Sequence, residues 1–155
     1  MTAPAEVRIR RPKDHERLMK ELQEEAGFAY FRDILLLAAA MGYQCQRRVP
    51  FTETAGDPIR YETQIAPPYS EALINMIAAN VVKDDPEIMD AARIEERMTI
   101  FEEFANGGLE YIQEQVNVRH QPAALVVGDL VAEALSNTGG ATAASVDELL
   151  GGLSW

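Results

Sequence analysis

The chain has 155 residues, 47% of them hydrophobic and 25% charged, which fits one soluble globular domain with a real core. Its formal net charge of −11 argues against indiscriminate nucleic-acid binding, because phosphate repulsion dominates at low salt. One cysteine, Cys45, excludes an internal disulfide framework and suits a reducing cytoplasm, and a plain buried or half-buried thiol is expected there.

Val7-Arg-Ile-Arg-Arg11 alternates apolar and basic residues, the period of a short strand, and Pro12 ends it at a helix start. A helix is predicted from about Asp14 to Glu25, burying Leu18, Met19 and Leu22 and stopping at Gly27. The next, about Tyr30 to Met41, is apolar nearly all round and belongs in the middle of a core, with Gly42 as its C-terminal cap. In Ile59–Ile65 the apolar residues alternate with Arg60, Glu62 and Gln64, a half-buried strand pattern. Its predicted partner is Arg47-Arg-Val-Pro-Phe51, across the turn Thr54–Pro58, with Pro50 confined to an edge.

Pro67-Pro68 breaks the chain, and a helix follows from about Ser70 with Leu73, Ile74, Ile77 and Ala78 inward. Asp85-Pro86 signals another helix, running to about Arg97. Thr99 with Glu102 forms a capping-box pair, which predicts a new helix from Thr99 to about Asn117. Phe101, Phe104, Ala105, Gly108, Ile112 and Val116 share one face, while Glu102, Glu103, Glu110 and Glu114 lie mostly off it. Two readings of Asn106-Gly107-Gly108 stay open. One is a continuous helix, in which two glycines cost about 2 kcal/mol relative to alanine and imply something packed against the backbone. The other is a C-cap at Asn106-Gly107 followed by a second helix.

Pro122 opens an amphipathic segment in which Leu125, Val126, Leu130, Val131 and Leu135 recur at helical spacing. Ser136–Ser145 reads as a flexible linker before an acidic-apolar tail, Val146–Trp155. Such a tail docks in a partner's groove, folds back or stays without fixed structure. The expected architecture is mainly α. A helical core domain with a short N-terminal arm spans residues 1–117, with a small antiparallel β element near residues 46–65. A C-terminal amphipathic helix and flexible tail, peripheral or partner-docking, spans 118–155.

Residues suited to chemistry are sparse. His15 and His120 are far apart and one cysteine cannot complete a zinc set. Asn106-Gly-Gly108 lacks the spacing of a phosphate loop. The acidic pairs Asp84-Asp85, Glu95-Glu96 and Glu102-Glu103 do not converge on one ion, since helix neighbours point about 100° apart, and solvated faces are expected. No catalytic residue, metal or cofactor is expected. The N-terminus has no apolar run suited to a secretory signal. The longest apolar run, Ile34 to Met41, falls short of the roughly 20 residues of a membrane span, so a cytoplasmic protein is expected.

Charge is uneven: residues 1–20 hold six basic groups against three acidic, and residues 84–116 hold ten acidic against two basic. The strand-helix-helix order of the N-terminal segment is that of ribbon-helix-helix regulators. There two copies pair their strands, and Arg8 and Arg10 would face the major groove. The competing expectation is an edge strand of Val7 and Ile9 beside Ile59–Ile65.

Ile100-Phe-Glu-Glu-Phe-Ala-Asn-Gly-Gly-Leu-Glu-Tyr-Ile112 also carries a family likeness. With Arg8-Ile-Arg-Arg-Pro-Lys-Asp14, Phe31-Arg-Asp-Ile-Leu-Leu-Leu-Ala-Ala-Ala-Met-Gly42, Arg47-Arg-Val-Pro-Phe51 and Pro58-Ile-Arg60, it resembles the DNA phosphorothioation-associated protein 4 family, or Dnd system-associated protein 4. The likeness spans about residues 7–117. That family accompanies bacterial systems that place sulfur in the DNA backbone and restrict unmodified DNA. The resemblance implies a non-catalytic accessory component of such a modification and restriction defence system. It would touch subunits of a phosphorothioation or restriction complex, with DNA nearby and oligomerisation left open. Arg8, Arg10, Arg11, Lys13, Arg47 and Arg48 are the candidate partner or DNA contacts. Phe101, Phe104, Gly107, Gly108 and Ile112 form the candidate close-packing surface. The plainer expectation for the basic set is pairing with the chain's own acidic body.

Overall fold

The computed structural model describes residues 7–136 and is mainly helical. Strand β1 (Arg8–Ile9) pairs antiparallel with β2 (Ile59–Arg60), Arg8 opposite Arg60 and Ile9 opposite Ile59. Helices α1 (Glu16–Glu25), α2 (Phe31–Gln44), α3 (Tyr61–Gln64), α4 (Ser70–Val81) and α5 (Ile94–Arg119) follow in chain order. A last helix, α6, covers residues 123–136. The predicted linker beyond Ser136 and the tail from Val146 lie outside the described residues.

The small antiparallel sheet is present with the edge pairing beside Ile59 that was the competing expectation for Val7 and Ile9, not with residues 47–51 as the partner. Beyond Arg60 the alternation resolves into one helical turn, α3, that buries Tyr61 and Gln64, three residues apart. Residues 47–51 form no strand. They lie along α5, where the Val49 N–H donates to the Glu103 carbonyl at 3.0 Å and the Val49 carbonyl accepts from Asn106 Nδ2 at 3.0 Å. A helix thus takes the peptide groups that a sheet ladder would have used.

α5 runs unbroken through Asn106-Gly107-Gly108, which decides for the continuous helix. The capping-box prediction fails: the Thr99 hydroxyl donates to the Glu95 carbonyl at 3.1 Å, an interior back-bond, and the helix begins at Ile94. Nor does one helix run from Pro86 to Arg97, because two 3-10 turns, Pro86–Met89 and Ala91–Arg93, precede α5. Buried Arg97 draws them in. Its Nη1 donates to the carbonyls of Ile88 (2.6 Å) and Asp90 (2.9 Å), and its Nε to Asn75 Oδ1 on α4 at 3.1 Å.

α2 and α5 form the largest helix-helix contact. Gly42 is not the cap of α2 but an interior residue at this crossing, since α2 continues to Gln44. A Cβ on Gly42 would overlap the Phe104 carbonyl, one on Gly108 the Ala38 carbonyl, and one on Gly107 the Arg47 carbonyl. The three glycines let backbones touch, which accounts for their helical cost. Around the crossing lie Ile34, Leu35, Ala38, Ala39, Phe101, Phe104, Ala105, Leu109 and Ile112, and the same core takes in Ala123, Val126, Val127 and Leu130 of α6. Cys45 is exposed rather than buried, because it follows the last turn of α2 as its C-cap. Among the described residues, no helix is long and apolar enough to cross a membrane.

Candidate functional site

The acidic side of α5 organises much of the basic set. Arg10 donates to Glu102 from its backbone N–H and from its guanidinium, with Nη2 3.0 Å from Oε1. The Glu102 side chain is only 3% exposed, so this carboxylate is no part of a solvated face. That hydrogen bond raises the Arg10 pKa further above its ordinary value, against the opposing effect of burial. One residue on, half-buried Glu103 accepts from Arg48 Nε at 2.7 Å. Arg47 reaches Glu110 at 3.4 Å and Glu114 at 2.6 Å, with its guanidinium 5.3 Å from the Tyr111 ring centre. Three predicted contact arginines are therefore held against one helix of their own chain.

The remaining three are dispersed. Arg11 is 7% exposed, stacked 4.1 Å over the Phe31 ring and packed on Gly56. The positive φ of Gly56 (59°) and its missing side chain make room for that guanidinium. Arg11 Nη1 has no hydrogen-bond partner among the described residues. Lys13 is exposed, 3.9 Å from Glu53. Arg8 is exposed and makes no ion pair among the described residues. The six basic residues thus differ in partner and burial, although Arg8 and Arg10 line a common cleft. Of the predicted packing surface, Phe101, Phe104, Gly107, Gly108 and Ile112 are all buried.

The residues flanking β1 bond to opposite sides. Val7 O accepts from Tyr61 N–H on the β2 side, and Arg10 N–H is taken by Glu102 on the other. The pairing that a ribbon-helix-helix dimer makes between copies is made here within one chain. The acidic neighbours also part company. Asp85 and Glu96 converge on Arg93, whose hydrogen bond lowers the Glu96 pKa, while Glu102 and Glu103 take different arginines. Among the described residues, no group of three or more His, Cys, Asp or Glu is placed to hold a metal ion.

A polar cleft of about 360 Å³ lies between the Pro12–His15 turn and the Val49–Glu53 segment, with Asn106 and Glu110 at its α5 wall. Burial lowers the His15 pKa, opposed by the nearby charges of Asp14 and Glu110. Charge counting finds the basic set and includes Arg93 and Arg97, but it does not join Arg97 or Glu102 to a partner. Arg97 and Glu102 find theirs on other elements, beyond the reach of local spacing, whereas Arg93 takes Glu96 three residues on.

The family described as DNA sulphur modification system-associated protein 4 matches residues 8–147. No curated protein and no solved structure matches the chain.

Proposed function

The chain belongs to the DNA sulphur modification system-associated protein 4 family, and from that premise we propose that it is a non-catalytic accessory component of a DNA phosphorothioation modification and restriction defence system. It acts in the cytoplasm, by touching the system's protein subunits rather than by reading DNA. The observation that carries this reading is the fate of the arginines. Arg10, Arg47 and Arg48 are bound to Glu102, Glu114 and Glu103 of the chain's own long helix. A duplex would have to displace those carboxylates before reaching the guanidiniums, and the net charge of −11 opposes its approach.

Size-exclusion chromatography tests the proposal. The purified full-length protein is expected to co-elute with a subunit of the phosphorothioation or restriction complex from the same host. It is expected to leave the anisotropy of a labelled duplex unchanged at moderate salt. Separate elution from every subunit, with a salt-sensitive shift of the duplex, overturns the reading in favour of a DNA-binding regulator.

A further inference from the structure

Arg8 and Arg60 stand directly opposite each other across the two-stranded sheet. The neighbouring position carries the hydrogen bond from the Tyr61 N–H to the Val7 carbonyl, 3.2 Å. Antiparallel alternation then makes Arg8 and Arg60 the non-hydrogen-bonded pair, in which facing side chains come closest. Both are exposed, and neither makes an ion pair or a cation-π contact among the described residues. Like charges directly opposite destabilise a sheet.

The arrangement is unusual for this chain. Carboxylates outnumber basic groups 25 to 14, and Arg10, two residues further along the chain, has its own buried glutamate. Beside Arg8 opens a cleft of about 460 Å³, walled by Glu95 and Glu102 with Pro58 and Met98 among its lining residues. Its lining is mostly charged and polar, with exposed Pro58 as an apolar spot beside Arg8, which makes no ion pair among the described residues.

We propose that Arg8 and Arg60 together receive a carboxylate from an acidic segment of a partner subunit, while an adjoining apolar side chain enters the cleft over Pro58 and Met98. The inference rests on the protein-contact function above and names its surface. A single carboxylate suits the site because it answers two guanidiniums at once. A duplex does not, because its charges recur every ~1.7 Å along the axis and would run against Glu95 and Glu102. The same pairing turns repulsion in the free protein into attraction in the complex.

Calorimetric titration of the full-length protein with purified subunits of the host's phosphorothioation complex tests this. R8E places opposite charges across the strands, so its thermal midpoint is expected at or above wild type, while subunit binding weakens about tenfold or more. R8K, which keeps the charge, is expected to retain most of the binding, and wild-type binding is expected to weaken as salt rises. If R8E binds as wild type does, this surface is wrong and the protein-contact function stands. If wild type binds no subunit, both fall. If binding appears only with DNA present and R8E loses DNA affinity, the pair is a phosphate contact and the proposal is overturned.

Discussion

Arg10 and Glu102, 92 positions apart in sequence, tie the N-terminal strand to the middle of the longest helix through one carboxylate that accepts from both the backbone and the side chain of the arginine. Removing Arg10 would leave a carboxylate that is 3% exposed without its counter-ion. The Arg10 side chain is 41% exposed, which tempers the cost. Arg10→Ala is therefore expected to lower the unfolding free energy by about 2 kcal/mol. Glu102→Ala is expected to cost a similar amount, by orphaning the Arg10 N–H. Urea denaturation of both single variants and the double variant should show the double costing less than the sum. Simple additivity would mean that the pair is not coupled as described.

Two helical glycines should respond in opposite directions. Gly108 abuts the Ala38 carbonyl across the α2–α5 crossing, so Gly108→Ala is expected to cost about 3 kcal/mol by forcing the helices apart. Gly128 on α6 is exposed with nothing within 4 Å of an added Cβ, and Gly128→Ala is expected to stabilise by about 0.5–1 kcal/mol. Thermal midpoints read both, and a harmless Gly108→Ala would contradict the close approach.

Acid should weaken the protein through His15. Burial holds its pKa below the ordinary value of about 6.5, so between the two values the unfolded chain binds more protons than the folded one. Stability supplied by the neutral imidazole is present above about pH 6.5 and is lost as pH falls towards the folded pKa. Wild type is expected to lose thermal stability more steeply than His15→Gln between about pH 7 and pH 5. Parallel curves would remove His15 as the cause. The carboxylates Glu96 and Glu133, held below their ordinary pKa by hydrogen bonds from Arg93 and from Arg119 at the end of α5, act at lower pH.

α6 has an inner and an outer face. Val126 is fully buried in the common core, whereas Leu125 is 57% exposed. Val126→Asp is expected to cost about 3 kcal/mol or more, and Leu125→Asp to stay within about 0.5 kcal/mol of wild type. Equal tolerance of both in chemical denaturation would show that α6 is not seated on the core.

The helices with one-sided apolar patterns were legible because burial alone set their spacing. Leu18, Met19 and Leu22 of α1, and Ile74, Ile77 and Ala78 of α4, are buried as their periodicity requires. Gly42 and Thr99 depart from their local signals for a shared reason: a glycine late in an apolar helix and a threonine three before a glutamate mark helix ends only when no neighbour overrides them. Phe104 and Gly108 override the first. Asn75, Ile88 and Asp90, gathered by Arg97, accompany the earlier start that overrides the second. The basic set was legible as composition, but its acidic partners come from an element far along the chain.

The most direct measurement is affinity capture of the tagged full-length protein from its native host, with and without nuclease treatment. The account predicts that subunits of a phosphorothioation or restriction complex co-purify in equal yield under both conditions. Their absence, or their loss when DNA is digested, would contradict it.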